Sequence, residues 1–236
     1  MISKNMFYNT EFLTRYFTML DTAKQEKIMT SSVLIFGVGG VGSAVAEFLV
    51  RSGIHHIGIV DFDTIDITNI NRQLVANSKN VGKLKVDEMA KKLLKINPNL
   101  KINKYPIKFC TENSKQIEFS SYDYIIDCVD DIKAKQLIIK LSKEHNKYLI
   151  CAMGAGNRYN EIPQFEISDI HKTSYDPLAK IIRKYCVKEG IKKLEVCYTK
   201  QKAVKFDCNF IASVVYYPVN MATVICARVL NKIIEE

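Results

Sequence analysis

At 236 residues, 47% of them hydrophobic, the chain is long enough to bury the core of one α/β domain, with or without an appendage, and short for two full domains. No apolar run reaches the roughly 18 residues that a membrane span needs, and MISKNMFYNTEF lacks the basic and apolar regions of a secretion signal, so a cytoplasmic protein without a membrane span is expected. The net charge of +9 favours a polyanionic partner such as RNA or a nucleotide, or else reflects lysines spread along the chain. Seven cysteines (110, 128, 151, 186, 197, 208 and 226) without a C-x-x-C pair argue for reduced thiols and against a zinc site.

Residues 11–30 read as helical, with Phe12, Tyr16, Met19 and Leu20 at helical spacing. A short apolar run, 32–36, reads as a strand, 43–52 as a helix and 57–60 as a second strand, so a βαβ unit opens the fold. His55 and His56, just ahead of that second strand, read as loop residues. The segment 86–96 is apolar at three- and four-residue intervals and stops at Asn97-Pro98, as a helix does. Strands are then predicted at 101–107 and 124–128, a helix at 134–144, and a strand at 148–153 running into Gly154-Ala155-Gly156. Beyond it come a strand at 162–167, a basic helix at 177–186, a strand at 194–199, and a long apolar helix at 213–234 that Pro218 either kinks or begins. The alternation predicts an α/β, Rossmann-like, doubly wound and mostly parallel sheet with a C-terminal α/β extension. A soft division near Gly156 separates 1–156, an N-terminal helix plus nucleotide-binding unit, from 157–236, which continues the same compact unit.

Gly37-Val38-Gly39-Gly40-Val41-Gly42 follows a strand and precedes a helix, the context in which a G-x-G-x-x-G run brings backbone up to phosphates at a helix N-terminus. A tight strand-to-helix turn without a ligand would use the same residues. Asp61 and Asp63 close the second strand, where an acid accepts hydrogen bonds from ribose hydroxyls. To this point a nicotinamide dinucleotide and ATP fit equally. Asn69, Asn71, Arg72 and Gln73 favour ATP, because a triphosphate needs donors to bind its charge and release pyrophosphate; the bland alternative is a polar loop capping the next helix.

In this order, GVGGVGS, DFDTIDITNINRQ, VGKLKVDEM, INP and IIDCVDD resemble the adenylating enzymes related to ubiquitin activation, which include the bacterial sulfur-carrier activators. The resemblance covers residues 11–156. It implies that Gly40 lies against the nucleotide, that Asp61 holds the ribose, that Asn69, Arg72 and Lys85 contact phosphates, and that Asp130 holds Mg²⁺. Arg15 stands where that family has an arginine reaching the triphosphate, often across a dimer interface, whereas Phe12 departs from a first arginine usual in relatives. Arg15, Arg72, Lys85 and Asp130 are thus the residues expected to carry the chemistry. Physically, Lys85 is a point charge suited to a phosphate, with Lys83 two residues away as a substitute. A carboxylate at Asp130 or Asp131 would face the ligand crevice at a strand's C-terminal end, and Mg²⁺ requires one or two carboxylates plus phosphate oxygens. Asp131 reads equally as the cap of the next helix.

The stretch Asp169-Ile-His-Lys-Thr-Ser-Tyr-Asp176-Pro177-Leu-Ala179 is similar to the segment typical of the tRNA threonylcarbamoyladenosine dehydratases within that family. Their reaction uses ATP to activate the threonylcarbamoyl carboxylate on adenosine 37 of tRNA, after which closure with loss of water gives a cyclic form. The resemblance implies ATP and Mg²⁺ as cofactors, tRNA as substrate and a homodimer, and leaves room for a sulfur-transfer protein as partner. His171, Lys172, Arg183 and Lys184 are candidate RNA contacts, or a solvated basic face. Cys208 is either a reactive thiol beside Lys205 or a small buried residue, the latter favoured, and Asn209-Phe210 departs from the small residues of relatives. The competing readings are adenylation of a ubiquitin-like sulfur carrier, disfavoured by the missing zinc cysteines, and an NAD-dependent oxidoreductase or non-catalytic nucleotide binder.

Overall fold

A computed structural model describes residues 10–236 of the chain. The amino-terminal segment is three pieces where one helix was predicted: a 3-10 turn at Glu11–Leu13, α1 (Thr14–Phe17) and α2 (Thr22–Thr30). The break has a local cause. The Asp21 carboxylate accepts the Lys24 N–H (2.9 Å) and starts α2 afresh.

From there the elements alternate: β1 (Ser32–Phe36), α3 (Gly40–Arg51), β2 (His56–Val60), α4 (Lys85–Ile96), β3 (Lys101–Tyr105), β4 (Tyr124–Asp127), α5 (Ile132–Glu144) and β5 (Tyr148–Ala152). They are followed by β6 (Glu166–Asp169), α6 (Pro177–Lys188), β7 (Glu195–Tyr198) and α7 (Tyr216–Glu235). His56 opens β2, so of the two histidines read as loop residues only His55 precedes the strand. The strand predicted at 162–167 lies later, at β6, and α7 is one continuous helix from Tyr216. Pro218 sits in the first turn of α7, where a missing N–H costs no helical bond.

The sheet order is β3-β2-β1-β4-β5-β7-β6, parallel throughout except for β6, which runs antiparallel to β7. Strand β1 is buried on both faces, which is why it reads as an unbroken apolar run. On one face Val33, Ile35, Ile57, Ile59 and Ile126 meet Val45 and Leu49 of α3 and Met221, Ile225 and Val229 of α7. Burying each such side chain contributes about 1.5–3 kcal/mol. On the other, Leu34, Phe36 and Ile125 pack against Phe109, Phe119, Tyr122 and Ile138. Gly58 of β2 makes that layer possible: a Cβ there would lie 2.5 Å from the Tyr122 hydroxyl. A third cluster joins Cys151, Met153, Val196 and Tyr198 to Ala179, Ile182 and Cys186 of α6, so residues beyond 156 extend the same sheet.

Candidate active site

Strands β1 and β4 are neighbours from which the chain departs in opposite directions, and a crevice opens beyond their C-terminal ends, as it must at such a switch point. It encloses about 810 Å³ and is lined by the glycine turn, the tips of β2 and β4, the 69–73 segment, Lys85, the 152–158 loop, the start of α6 and Pro218. The four glycines divide the labour. Gly37 has φ 84° and a Cβ there would meet the Cys128 carbonyl oxygen at 2.9 Å; at Gly42 a Cβ would fall 1.8 Å from the Gly37 carbonyl oxygen, so this glycine seats α3 on β1. Gly40 leaves room for Pro218, at 3.2 Å. Gly39 is different: its Cβ would have only the Gln73 amide nitrogen nearby, at 3.9 Å, and that open space is what a ligand's close approach requires.

At the tip of β2, Asp61 accepts the backbone N–H of Val38 (2.7 Å) and of Asp63 (2.9 Å), tying the glycine turn to the acidic loop. Burial pushes its carboxyl above the usual carboxylate range, against the pull of Lys85 and those two donors. Lys85 is buried at the start of α4 and donates to Asp63 at 2.7 Å, while Lys83 is exposed and lines no part of the crevice. Asn69 is turned toward its own loop, where its Oδ1 accepts the Asp66 N–H (3.1 Å). Arg72 donates to the Thr68 carbonyl and the Asn71 amide oxygen (2.8 and 3.0 Å), which holds its guanidinium at the crevice edge. Gln73 is buried with Oε1 lacking a partner.

At the tip of β4 the two acids separate. Asp131 caps α5 by accepting the Ala134 N–H (2.8 Å), whereas Asp130 is exposed on the crevice wall and is held by no donor among the described residues. Beneath them is a pair that the sequence reading missed. Lys135 and Asp127, both fully buried, meet at 2.7 Å; Lys135 also donates to the Ala152 carbonyl (3.1 Å), and Asp127 accepts the Val129 N–H (3.1 Å). Burial alone would lower the Lys135 pKa, but Asp127 overturns this and holds it above its ordinary value. The signal was available: Lys135 occupies the apolar stripe Ala134–Ile138–Ile139–Ser142 of α5, where a charge demands a partner. Burial raises the Cys128 thiol above its usual range, which disfavours a thiolate at this crevice cysteine.

The fourth wall comes from the far end of the chain. Asp176 caps α6 through the Ala179 N–H (2.9 Å) and with its other oxygen accepts the Gly154 N–H (2.8 Å), so the Asp-Pro-Leu-Ala segment anchors the β5 loop. Arg158, also missed, is 4% exposed and staples this wall. It donates to the carbonyls of Gly154, Gly156 and Gln201 at 3.1, 3.0 and 2.9 Å, leaving Nη2 buried without a partner. An arginine after a glycine loop gives no local sign of this, because all three acceptors are backbone.

Other expected residues lie elsewhere. Arg15 is exposed on α1, whose neighbours Leu13 and Phe17 pack at Gly53 beyond the opposite end of α3, so within one chain it does not reach the crevice. His171 pairs a ring nitrogen with the Ile191 carbonyl (2.9 Å) and Arg183 is bonded to Thr173; Lys172 and Lys184 are exposed. Cys208 is exposed, with Sγ 3.1 Å from the Phe210 carbonyl oxygen, and not the buried residue favoured above, because the 200–215 strap lies outside the core.

Residues 13–161 match the model of the ThiF family, and the chain is 40% identical over 180 residues to the tRNA threonylcarbamoyladenosine dehydratase of Bacillus subtilis, spanning 76% of this chain and 70% of that protein. The chain belongs to the ThiF family. The Escherichia coli protein of the same name is 33% identical over 196 residues, 83% of this chain and 70% of its own length. Crystal structures of the E. coli enzyme superpose over 94% of this chain at 25% identity, with TM-scores of 0.86 for its complex with ATP (93% of that chain) and 0.88 for its complex with AMP (94%). In this ThiF-family chain no helix among the described residues is long and apolar enough to cross a membrane, and no cluster of three or more metal-ligating side chains occurs among them.

Proposed function

We propose that the chain is an ATP-dependent dehydratase of threonylcarbamoyladenosine at position 37 of tRNA. One observation carries the reading: the Asp-Pro-Leu-Ala segment that marks this branch builds a wall of the same crevice that holds the glycine turn, Asp61, Arg72, Lys85 and Asp130. Dehydratase relatives and their nucleotide-bound structures support it.

In this mechanism the substrate carboxylate attacks the α-phosphorus of ATP and pyrophosphate leaves, with Arg72 and Lys85 neutralising the charge that develops on the phosphates. The ureido oxygen then attacks the activated acyl carbon, AMP departs with the bonding pair, and the ureido nitrogen gives up its proton. Water is formally removed from the nucleoside and consumed in splitting ATP. Asp61 orients the ribose, Gly39 gives the phosphates backbone contact, and Arg158 with Asp176 holds the wall that excludes water. An unpaired carboxylate at the crevice edge fits Mg²⁺, which takes few protein ligands, so Asp130 would hold the ion; when bound, it supplies neutralisation of the leaving pyrophosphate. Positioning replaces a protein nucleophile, so no cysteine is required.

The same reading includes a homodimer in which Arg15 reaches the partner's crevice, a cytoplasmic setting, a sulfur-transfer protein as a further partner, and a division at residue 156 between adenylating core and substrate-side extension. The test is to incubate the purified protein with threonylcarbamoylated tRNA, ATP and Mg²⁺ and weigh the released nucleoside. Loss of the mass of one water, dependent on ATP, is expected. Unchanged mass on verified substrate tRNA, or pyrophosphate exchange that depends on a ubiquitin-like carrier instead, would overturn the assignment.

A further inference from the structure

Residues 170–205 hold ten lysines and arginines against three carboxylates, so much of the net positive charge of the chain falls in this segment, part of which borders the crevice. In this stretch Tyr175 is anomalous. It is 63% exposed, and its backbone lies at φ 57°, a region that costs a residue with a side chain about 1–3 kcal/mol. Packing does not demand this placement, because the ring is out in solvent. It directly precedes Asp176 and Pro177, which line the crevice, and Lys202 Nζ stands 5.3 Å from the ring centroid. A second exposed pair, Tyr159 and Phe206 with centroids 6.0 Å apart, adjoins Arg158, another lining residue. Open rings therefore adjoin lining residues of the crevice, and at Tyr175 a lysine stands beside the ring.

Charge and aromatic character together select among occupants. A protein interface centre is depleted of lysine, whereas single-stranded RNA is bound by rings that take base faces and cations that take phosphates. We propose that Tyr175 is a stacking platform for an unstacked base of the tRNA loop adjoining the acceptor adenosine, with Lys202 meeting the neighbouring phosphate. This rests on the tRNA reading and adds how the loop is held: the adenosine enters the crevice while its neighbour lies on the rim. A second groove, about 670 Å³ with Lys143, Lys147, Lys192 and Lys193, lies at the opposite ends of the strands, and its one aromatic ring, Tyr148, is tied to Glu195 at 2.5 Å. That groove has the charge without a free ring.

The test uses full-length protein and substrate tRNA carrying 2-aminopurine next to the acceptor adenosine. Wild type should quench the probe on binding; Tyr175→Ala should abolish the quench and raise the tRNA Kd about tenfold, with the ATP Kd and the salt slope unchanged. Tyr175→Phe should behave as wild type and Tyr175→Gly, which relieves the backbone, as Tyr175→Ala. Lys202→Ala should instead lower the slope of log Kd against log salt by about one. Retained quenching and unaltered Kd in Tyr175→Ala overturn the platform, and so does a shift from dimer to monomer in sedimentation, which would assign the rim to a second copy of the chain. Wild type that binds and quenches yet removes no water from tRNA would defeat the dehydratase reading alone; wild type with no tRNA binding defeats both.

Discussion

Two lysine–aspartate pairs of the same length, 2.7 Å, stand beside the crevice, and they differ in what surrounds them. Lys135 and Asp127 at the β4 tip are wholly buried, while the Lys85–Asp63 pair at the β2 tip has its aspartate side chain 46% exposed. In the first, each charge faces the other away from water, and further hydrogen bonds run from Lys135 to the Ala152 carbonyl and from the Val129 N–H to Asp127, beside the loop presenting Asp130. In the second, water reaches the carboxylate, so under the proposed mechanism an entering phosphate would take the Lys85 ammonium at little cost. Distance alone does not separate the two pairs; the exposure of the aspartate does.

Several variants would break or sharpen this contrast. The largest effect expected is on activity: Asp130→Ala should abolish ATP-dependent turnover while leaving the thermal transition in place, and normal turnover would remove the metal assignment. Lys85→Ala should lower kcat by about 10²-fold or more, with stability changed by no more than about 1 kcal/mol, measured as turnover and urea midpoint side by side. For the buried pair the order reverses: Lys135→Met or Asp127→Asn alone should cost about 3–5 kcal/mol in urea unfolding, because each leaves its partner buried and uncompensated. Combining Lys135→Met with Asp127→Leu should recover most of that loss; a double variant as unstable as the worse single one would show that the β4 loop, not the charge balance, is at stake. Smallest of all, Lys83→Ala should leave the KM for ATP within about twofold, as expected of an exposed surface lysine, and a larger rise would return the phosphate role to Lys83.

Much of the architecture was legible because it is locally encoded. The run 32–36 could only be a strand covered on both faces, and the glycine turn with Asp61 sits where any nucleotide-binding βαβ unit places it. The edges blurred where a single side chain decides: Asp21 restarts α2, and β6 forms later than expected because it pairs antiparallel with β7, a partner beyond local reach. Site residues followed the same rule. Asp130 and Asp131 were equivalent in sequence until the Ala134 N–H claimed Asp131. Asn69 and Arg72, expected as phosphate ligands, each hold their own loop through a hydrogen bond and both still line the crevice.

By itself the sequence determined the alternation of strands and helices, the glycine turn and the acid at the β2 tip, since each is written in spacings of a few residues, and the order of its motifs carried the resemblance to the family. Tertiary structure alone decided that Lys85 and not Lys83 faces the crevice, that Lys135 answers Asp127, that Arg158 and Asp176 close the far wall, that Arg15 lies away from its own chain's site and that Cys208 is in solvent. The reason is physical: a charge or a buried donor is defined by the partners that satisfy it, and here they include Asp127, Gly154 and Gln201, which lie 8, 22 and 43 residues from Lys135, Asp176 and Arg158.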